Sequence, residues 1–292
     1  MLVTSNCKGD QNYMKYKIVS DSTSNLQTLP GSIEYKTVPL KILADGKEFV
    51  DEIGLDVEKM VEAVEAASKT STSCPNAEEY RAAYEGADNV FAITITSGLS
   101  GSYNAAEQGA EMFREEHPDA KIRVIDSLST GGEMHLLIEK LRDLMEQGLP
   151  FEEINEKIDE YHQHTRLLFS LESVQNLAKN GRVPMAVAKI ANFLNIRFIG
   201  KPTPEGTIRP VYNVRGAKKN ISKIVEEMLA QGYTGGKVWI SHCLNPEAAE
   251  NLKNAILEKY SGADIGIEPM TGLCSYYAER GGMIIGFEGA HK

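Results

Sequence analysis

The chain has 292 residues, 42% of them hydrophobic and 25% charged, which is enough for two domains or one large α/β domain and too apolar for wholesale disorder. A formal net charge of -10 argues against nucleic acid as a partner, because neutralising phosphates takes a concentrated basic face. No apolar run is long enough to cross a bilayer, and Cys7, Cys74, Cys243 and Cys274 form no CxxC pair that would signal zinc or a disulfide framework.

The opening MLVTSNCKGDQNYM lacks the charged start and apolar segment of a secretion signal, so residues 1–15 read as a loose extension of a cytoplasmic protein with reduced thiols. Tyr16 to Ser20 then reads as a short strand that runs into the polar turn Asp21-Ser22-Thr23-Ser24. Those side chains can cap backbone groups or line a cleft. Glu34 to Leu43 reads as one extended segment closed by the Asp45-Gly46 turn. Asp56 to Ala67 is an amphipathic helix with Val57, Met60, Val61 and Val64 on one face. Proline disfavours helix in the residue before it, so Thr72, Ser73 and Cys74, ahead of Pro75, are expected to be extended in a loop.

The stretch from Asn89 to Phe113 organises the chain. Val90 to Ile95 is β-branched and apolar enough for a strand buried on both faces, and helical periodicity starts at Ser102. The connecting turn, Thr96 to Ser102, is dense in glycine and hydroxyls. Glycines permit a tight bend and a close ligand approach, and the first turn of the helix leaves N–H groups unpaired, which suits an anion. Equally, Ser100 or Ser102 can simply cap the helix. A further strand, Lys121 to Ile125, ends at Asp126-Ser127 and leads into a helix from about Gly132. Strand, helix, strand order implies parallel strands with right-handed crossovers, whose ligands sit beyond the carboxyl ends of the strands.

Phe151 to His164 reads as a helix linking two halves. From Arg166 the pattern changes: a strand, a helix, Asn180-Gly181-Arg182, an alanine-rich segment from Pro184 to Leu194, and a β-hairpin formed by Arg197–Lys201 and Thr207–Tyr212. A helix at Lys218–Gln231 and alternating strands and helices to Phe287 complete the pattern. The expected fold class is α/β: an N-terminal parallel-sheet domain over 16–165 and a C-terminal mixed-sheet domain over 166–292, with a ligand between them.

Three chemistries can be weighed. A nucleophile elbow at Ser100 would need glycine at the position of Ser102, and a Walker loop would need Lys after Gly101. His162 and His164 lie two apart and so do not share a helical face, which disfavours a metal site. Arg215, Lys218 and Lys219 make a local basic patch, read as solvated charge or as a docking point for an acidic or phosphorylated partner. Tyr276-Tyr277 reads as packing.

Read together, IVSDSTSNL at 18 to 26, TSCP at 72 to 75, ITITSGLSGSYNAA at 93 to 106, VIDS at 124 to 127, NGRV at 180 to 183 and VRGAKK at 214 to 219 resemble the DegV family of bacterial lipid-binding proteins. The resemblance implies a long-chain fatty acid held between two α/β domains, no cofactor, no metal and no catalytic residue. It assigns the carboxylate to Thr72 and Ser97, with the Gly98 N–H as helper, and the tail to an apolar tunnel. It also implies a separate fatty acid kinase as partner, with Arg182 and Arg215 at positions suited to docking. A hydrolase or small-molecule transferase using the Ser97–Ser102 turn is the alternative. A tail of ~16 carbons at ~0.8 kcal/mol per buried methylene offers on the order of 12 kcal/mol of transfer free energy, so the tail can supply affinity while the head group supplies orientation. The chain departs from the family pattern at Met270, where many members have a histidine, so the head-group wiring is expected to differ. The segment between Glu78 and Val90 is also shorter than is usual in the family.

Overall fold

The computed structural model describes residues 15–186 and 196–292. Nearly all of the expected N-terminal extension and most of the alanine-rich segment therefore lie outside the described residues. Among the described residues no helix is long and apolar enough to cross a membrane.

The first sheet is the parallel one expected. β1 (Tyr16–Asp21), β2 (Glu34–Val38), β6 (Asn89–Thr94) and β7 (Lys121–Asp126) pair in the order β2-β1-β6-β7, all parallel. β1 and β6 are buried along their whole length, as their apolar runs require. The crossover helices are α2 (Ala77–Tyr84), before β6, and α3 (Ser102–Glu116), between β6 and β7; α4 (Gly132–Glu146) and α5 (Phe151–Gln163), which buries Phe151, Ile154 and Ile158, follow the last strand of this sheet.

Between β2 and β6 the chain departs from expectation. The segment read as one extended run over Glu34–Leu43 is two strands in different sheets. Pro39, with no N–H and a fixed φ, separates β2 from β3 (Lys41–Ala44). β3 makes a hairpin with β4 (Lys47–Val50) through Asp45 and Gly46, both at positive φ, and pairs on its other edge with β5 (Thr70–Ser73). The hydroxyl cluster read as a loop is thus an edge strand in a three-stranded antiparallel sheet. α1 (Val57–Ala66) covers it with Met60, Val61 and Val64.

The remaining strands form a six-stranded mixed sheet in the order β10-β9-β8-β13-β11-β12: β8 (Thr165–Leu171), β9 (Ile196–Pro202), β10 (Ile208–Arg215), β11 (Val238–His242), β12 (Ile265–Pro269) and β13 (Met283–Glu288). Every pairing is antiparallel except β11 with β12. α6 (Gln175–Lys179), α7 (Ala217–Ala230), α8 (Pro246–Leu257) and α9 (Gly272–Ala278) lie between these strands in the chain. One face of this sheet buries Leu168, Ile199 and Ile240 with α7 and α8. On its other face Leu167, Leu171, Phe198 and Ile284 join Ile42, Phe49, Met60 and Val61 in a core drawn from both sides of residue 165.

Candidate ligand-binding site

The carboxyl ends of β1, β6 and β7 open onto a cavity of about 320 Å³, at the small end of the roughly 300–1,000 Å³ of ligand sites. Its walls differ in chemistry. The mixed sheet supplies Leu167, Phe169, Leu171, Pro202, Ile208 and Ile284, whereas Thr72, Ser73, Ser100, Thr130, Arg182 and Tyr277 supply polar groups. Among the described residues, Arg182 is the one charged side chain in the lining, with no His, Asp, Glu or Lys.

Thr72 reaches this wall because strand periodicity puts Thr70 and Thr72 on one face of β5, and both meet α9. Thr70 Oγ1 shares a 2.8 Å hydrogen bond with Tyr276 Oη, and Thr72 Oγ1 shares one of 2.8 Å with Tyr277 Oη. Burial pushes the Tyr277 phenol above its ordinary pKa, with the Thr72 bond and the Arg182 charge opposing. It therefore stays protonated near neutrality; either hydroxyl can donate in this bond, and with Tyr277 as donor the Thr72 proton is free for another acceptor. Tyr277, which reads as packing in the sequence, is part of the lining. The pair is 205 positions apart in the chain, and no local pattern announces it.

The Thr96–Ser102 turn enters the cavity only in part. Ile95 and Thr96 line it, and so do Leu99, Ser100 and Gly101, but Ser97 and Gly98 do not. The chain arches outward at that point and exposes both residues. The Ser97 N–H is taken by Asp126 Oδ1 at 3.0 Å and the Gly98 N–H by Thr96 Oγ1 at 3.1 Å. On the outside the arch meets the tip of the β9–β10 hairpin. A β-carbon at Gly98 would lie 2.6 Å from the Glu205 carbonyl oxygen, and Gly206, at φ +72°, lets its own carbonyl accept from Thr96 Oγ1 at 2.9 Å. Of the residues expected at a carboxylate, then, Thr72 lines the cavity and Ser97 and Gly98 lie outside it. Helix α3 is capped by Gly101, without a side-chain cap, and not by Ser100 or Ser102; Ser100 Oγ accepts the Ser102 N–H at 3.2 Å within the turn and keeps its own proton to donate.

Two buried carboxylates hold this arrangement from behind. Asp21 accepts from Thr23 N, from Ile95 N at 2.8 Å and from Ser102 Oγ at 2.8 Å, fastening the turn after β1, the end of β6 and the start of α3 to one group. Asp51 accepts from the N–H groups of Gly272 and Leu273 at 2.5 and 2.8 Å, which anchors α9 and hence Tyr277. Burial raises both pKa values above the ordinary carboxylate range, against the pull of these donors.

The residues expected at a docking surface sit in different settings. Arg182 belongs to the cavity wall: its Nε donates to Leu99 O at 3.2 Å, one terminal nitrogen donates to Asn180 O, and its guanidinium lies 5.8 Å from the Tyr277 ring centre. Arg215 is exposed at the end of β10, with Lys218 and Lys219 exposed just beyond it. Met270 is buried in the core and does not line the cavity, although Leu273 and Cys274 beside it do. Glu85, Glu116 and His117 form an exposed cluster among the described residues, but Arg81 already bridges both carboxylates.

The model of the family described as uncharacterised protein, DegV family, matches residues 15–288. The chain belongs to the DegV family. It is 43% identical over 279 residues to a DegV domain-containing protein of Streptococcus pneumoniae, covering 94% of this chain and 99% of that one. Among solved structures it resembles the Streptococcus pneumoniae Fatty Acid Kinase (Fak) B3 protein loaded with linoleic acid, with a TM-score of 0.93 and 42% identity over 95% of this chain and 100% of that one. A Eubacterium eligens DegV family protein loaded with heptadecanoic acid superposes with a TM-score of 0.92 and 40% identity, covering 94% and 100% of the two chains. The DegV architecture of a parallel sheet followed by a mixed sheet is thus the one seen here.

Proposed function

We propose that the cavity holds a long-chain fatty acid, its carboxylate at Thr72 and Ser100 with Arg182 nearby, and its chain along the apolar wall of β8, β9 and β13. The observation that carries this reading is the division of one cavity into a hydrocarbon wall and a rim of hydroxyl donors that lacks a carboxylate or histidine among the described residues. A carboxylate leaving water needs several donors, and two hydroxyls and a guanidinium meet that need without a general base. The acids bound to the pneumococcal and Eubacterium relatives support the ligand class. Ser100 replaces Ser97 in the assignment because Ser97 faces outward, its N–H committed to Asp126.

On this reading the chain is a carrier and not a catalyst. The hydrolase alternative needs a base beside Ser100, and its described partner is a backbone N–H. The name of the pneumococcal relative supports a separate fatty acid kinase as the recipient of the bound acid, with the exposed Arg215 as a docking contact and the cytoplasm, where ATP is available, as the setting. Native mass spectrometry of the protein purified without added lipid, followed by denaturing extraction, tests the reading. A stoichiometric long-chain acid is expected. An empty protein that takes up none when it is offered would overturn it.

A further inference from the structure

A glycine inside a strand weakens it and marks a place where something approaches closely. Gly200 is such a residue, buried in β9 directly opposite Phe169 of β8 in the antiparallel register. A β-carbon there would collide with Cζ and Cε2 of the Phe169 ring, and it would lie 2.7 Å from the Arg209 carbonyl oxygen. The ring therefore lies down across the strand in the dent that the missing side chain leaves, with backbone behind it. Strand alternation puts Phe198, Gly200 and Pro202 on one face, and Pro202 lines the cavity, as does Phe169 itself. Leu167 and Leu171 flank the ring along β8 on the same face. With neighbours on both sides and backbone beneath, a displaced ring has the cavity as its free space.

We infer that Gly200, which does not itself line the cavity, is a positioning residue that sets the acyl length the cavity accepts, by letting the Phe169 ring lie flat. The inference rests on the fatty-acid reading above and deepens it. In Gly200→Ala the ring stands up into the apolar wall and excludes the end of the longer chains. In Phe169→Leu the wall recedes and longer chains gain. Each methylene excluded from an apolar pocket costs roughly tenfold or more in preference.

The test offers an equimolar series of saturated acids, from lauric to arachidic, to the full chain and reads the retained lengths by native mass spectrometry. Gly200→Ala is expected to lose the longest acids by about tenfold per methylene, Phe169→Leu to shift toward longer ones, and the double variant to return to the wild-type profile, which loss of folding would not do. A folded Gly200→Ala with the wild-type profile overturns the inference. If that variant does not fold, an unchanged profile in Phe169→Leu overturns it instead. A wild-type protein that retains no acid at all overturns the fatty-acid reading, and the length argument with it.

Discussion

Replacing Thr72 with valine removes one hydroxyl from the cavity and keeps the branched shape that β5 needs. The magnitude follows from what that hydroxyl does. Either hydroxyl of the 2.8 Å Thr72–Tyr277 pair can donate; when a carboxylate is bound, Tyr277 donating to Thr72 frees the Thr72 proton for the head group, and a hydrogen bond to a charged acceptor contributes about 1.5–3 kcal/mol. Losing it should weaken fatty-acid binding by roughly 10- to 150-fold. The empty protein should lose less, about 1 kcal/mol, because the half-buried Tyr277 phenol can turn toward water. Thr70→Val is the matched control. It breaks the equivalent 2.8 Å bond to Tyr276, which does not line the cavity, so it should reduce stability with no effect on binding. Displacement of a fluorescent fatty acid gives the dissociation constants, and urea denaturation gives the stabilities. Unchanged affinity in Thr72→Val, or equal losses in both variants, would refute the head-group assignment.

Ser100→Ala should weaken retention while Ser97→Ala leaves it unchanged; the same displacement assay checks this, and the reverse order would restore the assignment made from sequence. Asp51→Asn sets an amide donor against one of the Gly272 and Leu273 N–H groups and should cost about 2–4 kcal/mol in urea unfolding. The same pair of proteins tests a pH effect. Because burial raises the folded-state pKa of Asp51 above its unfolded value, the unfolded chain binds fewer protons between the two values, and the slope of stability with pH is negative there. The advantage of wild type over Asp51→Asn should therefore be largest at the acid end and shrink as pH rises from the ordinary carboxylate range, near ~4; an advantage that grows would contradict it. Gly206→Ala forces a side chain into positive φ and onto Thr96 Oγ1, costing about 1–3 kcal/mol. Because Gly206 and Thr207 also line the cavity, the change should speed ligand release in stopped-flow, and an unaltered release rate would contradict a part for the hairpin tip in holding the ligand.

Much of this architecture is legible in the residues. β-branched runs mark β1, β6 and β7, and the hydroxyl turns that follow them lie at the cavity because parallel strands present their carboxyl ends together. Orientation within a turn is another matter. Ser97 and Ser100 are the same residue type three positions apart, and which one faces inward is decided by Asp126 and by a hairpin tip more than 100 positions later. Thr72 was readable from its motif, but its partner Tyr277 was not, since the contact between β5 and α9 exists only after both sheets have formed. Asp21 could be read as a capping residue, which it is through Thr23, but its hold on Ile95 and Ser102 requires β1 and β6 to be neighbours. The single proline that splits Glu34–Leu43 is a signal the extended reading passed over.

The position of β13 has a consequence for how the protein is made. This strand is the latest in the chain of those described, yet it lies in the interior of the mixed sheet, with β8 on one edge and β11 on the other. During synthesis the ribosome must release residues through about 288 before β8 and β11 can be joined, and until then each offers an open edge to any passing chain. A nascent polypeptide can complete its parallel sheet early, but it can shelter cargo only once translation has passed that strand.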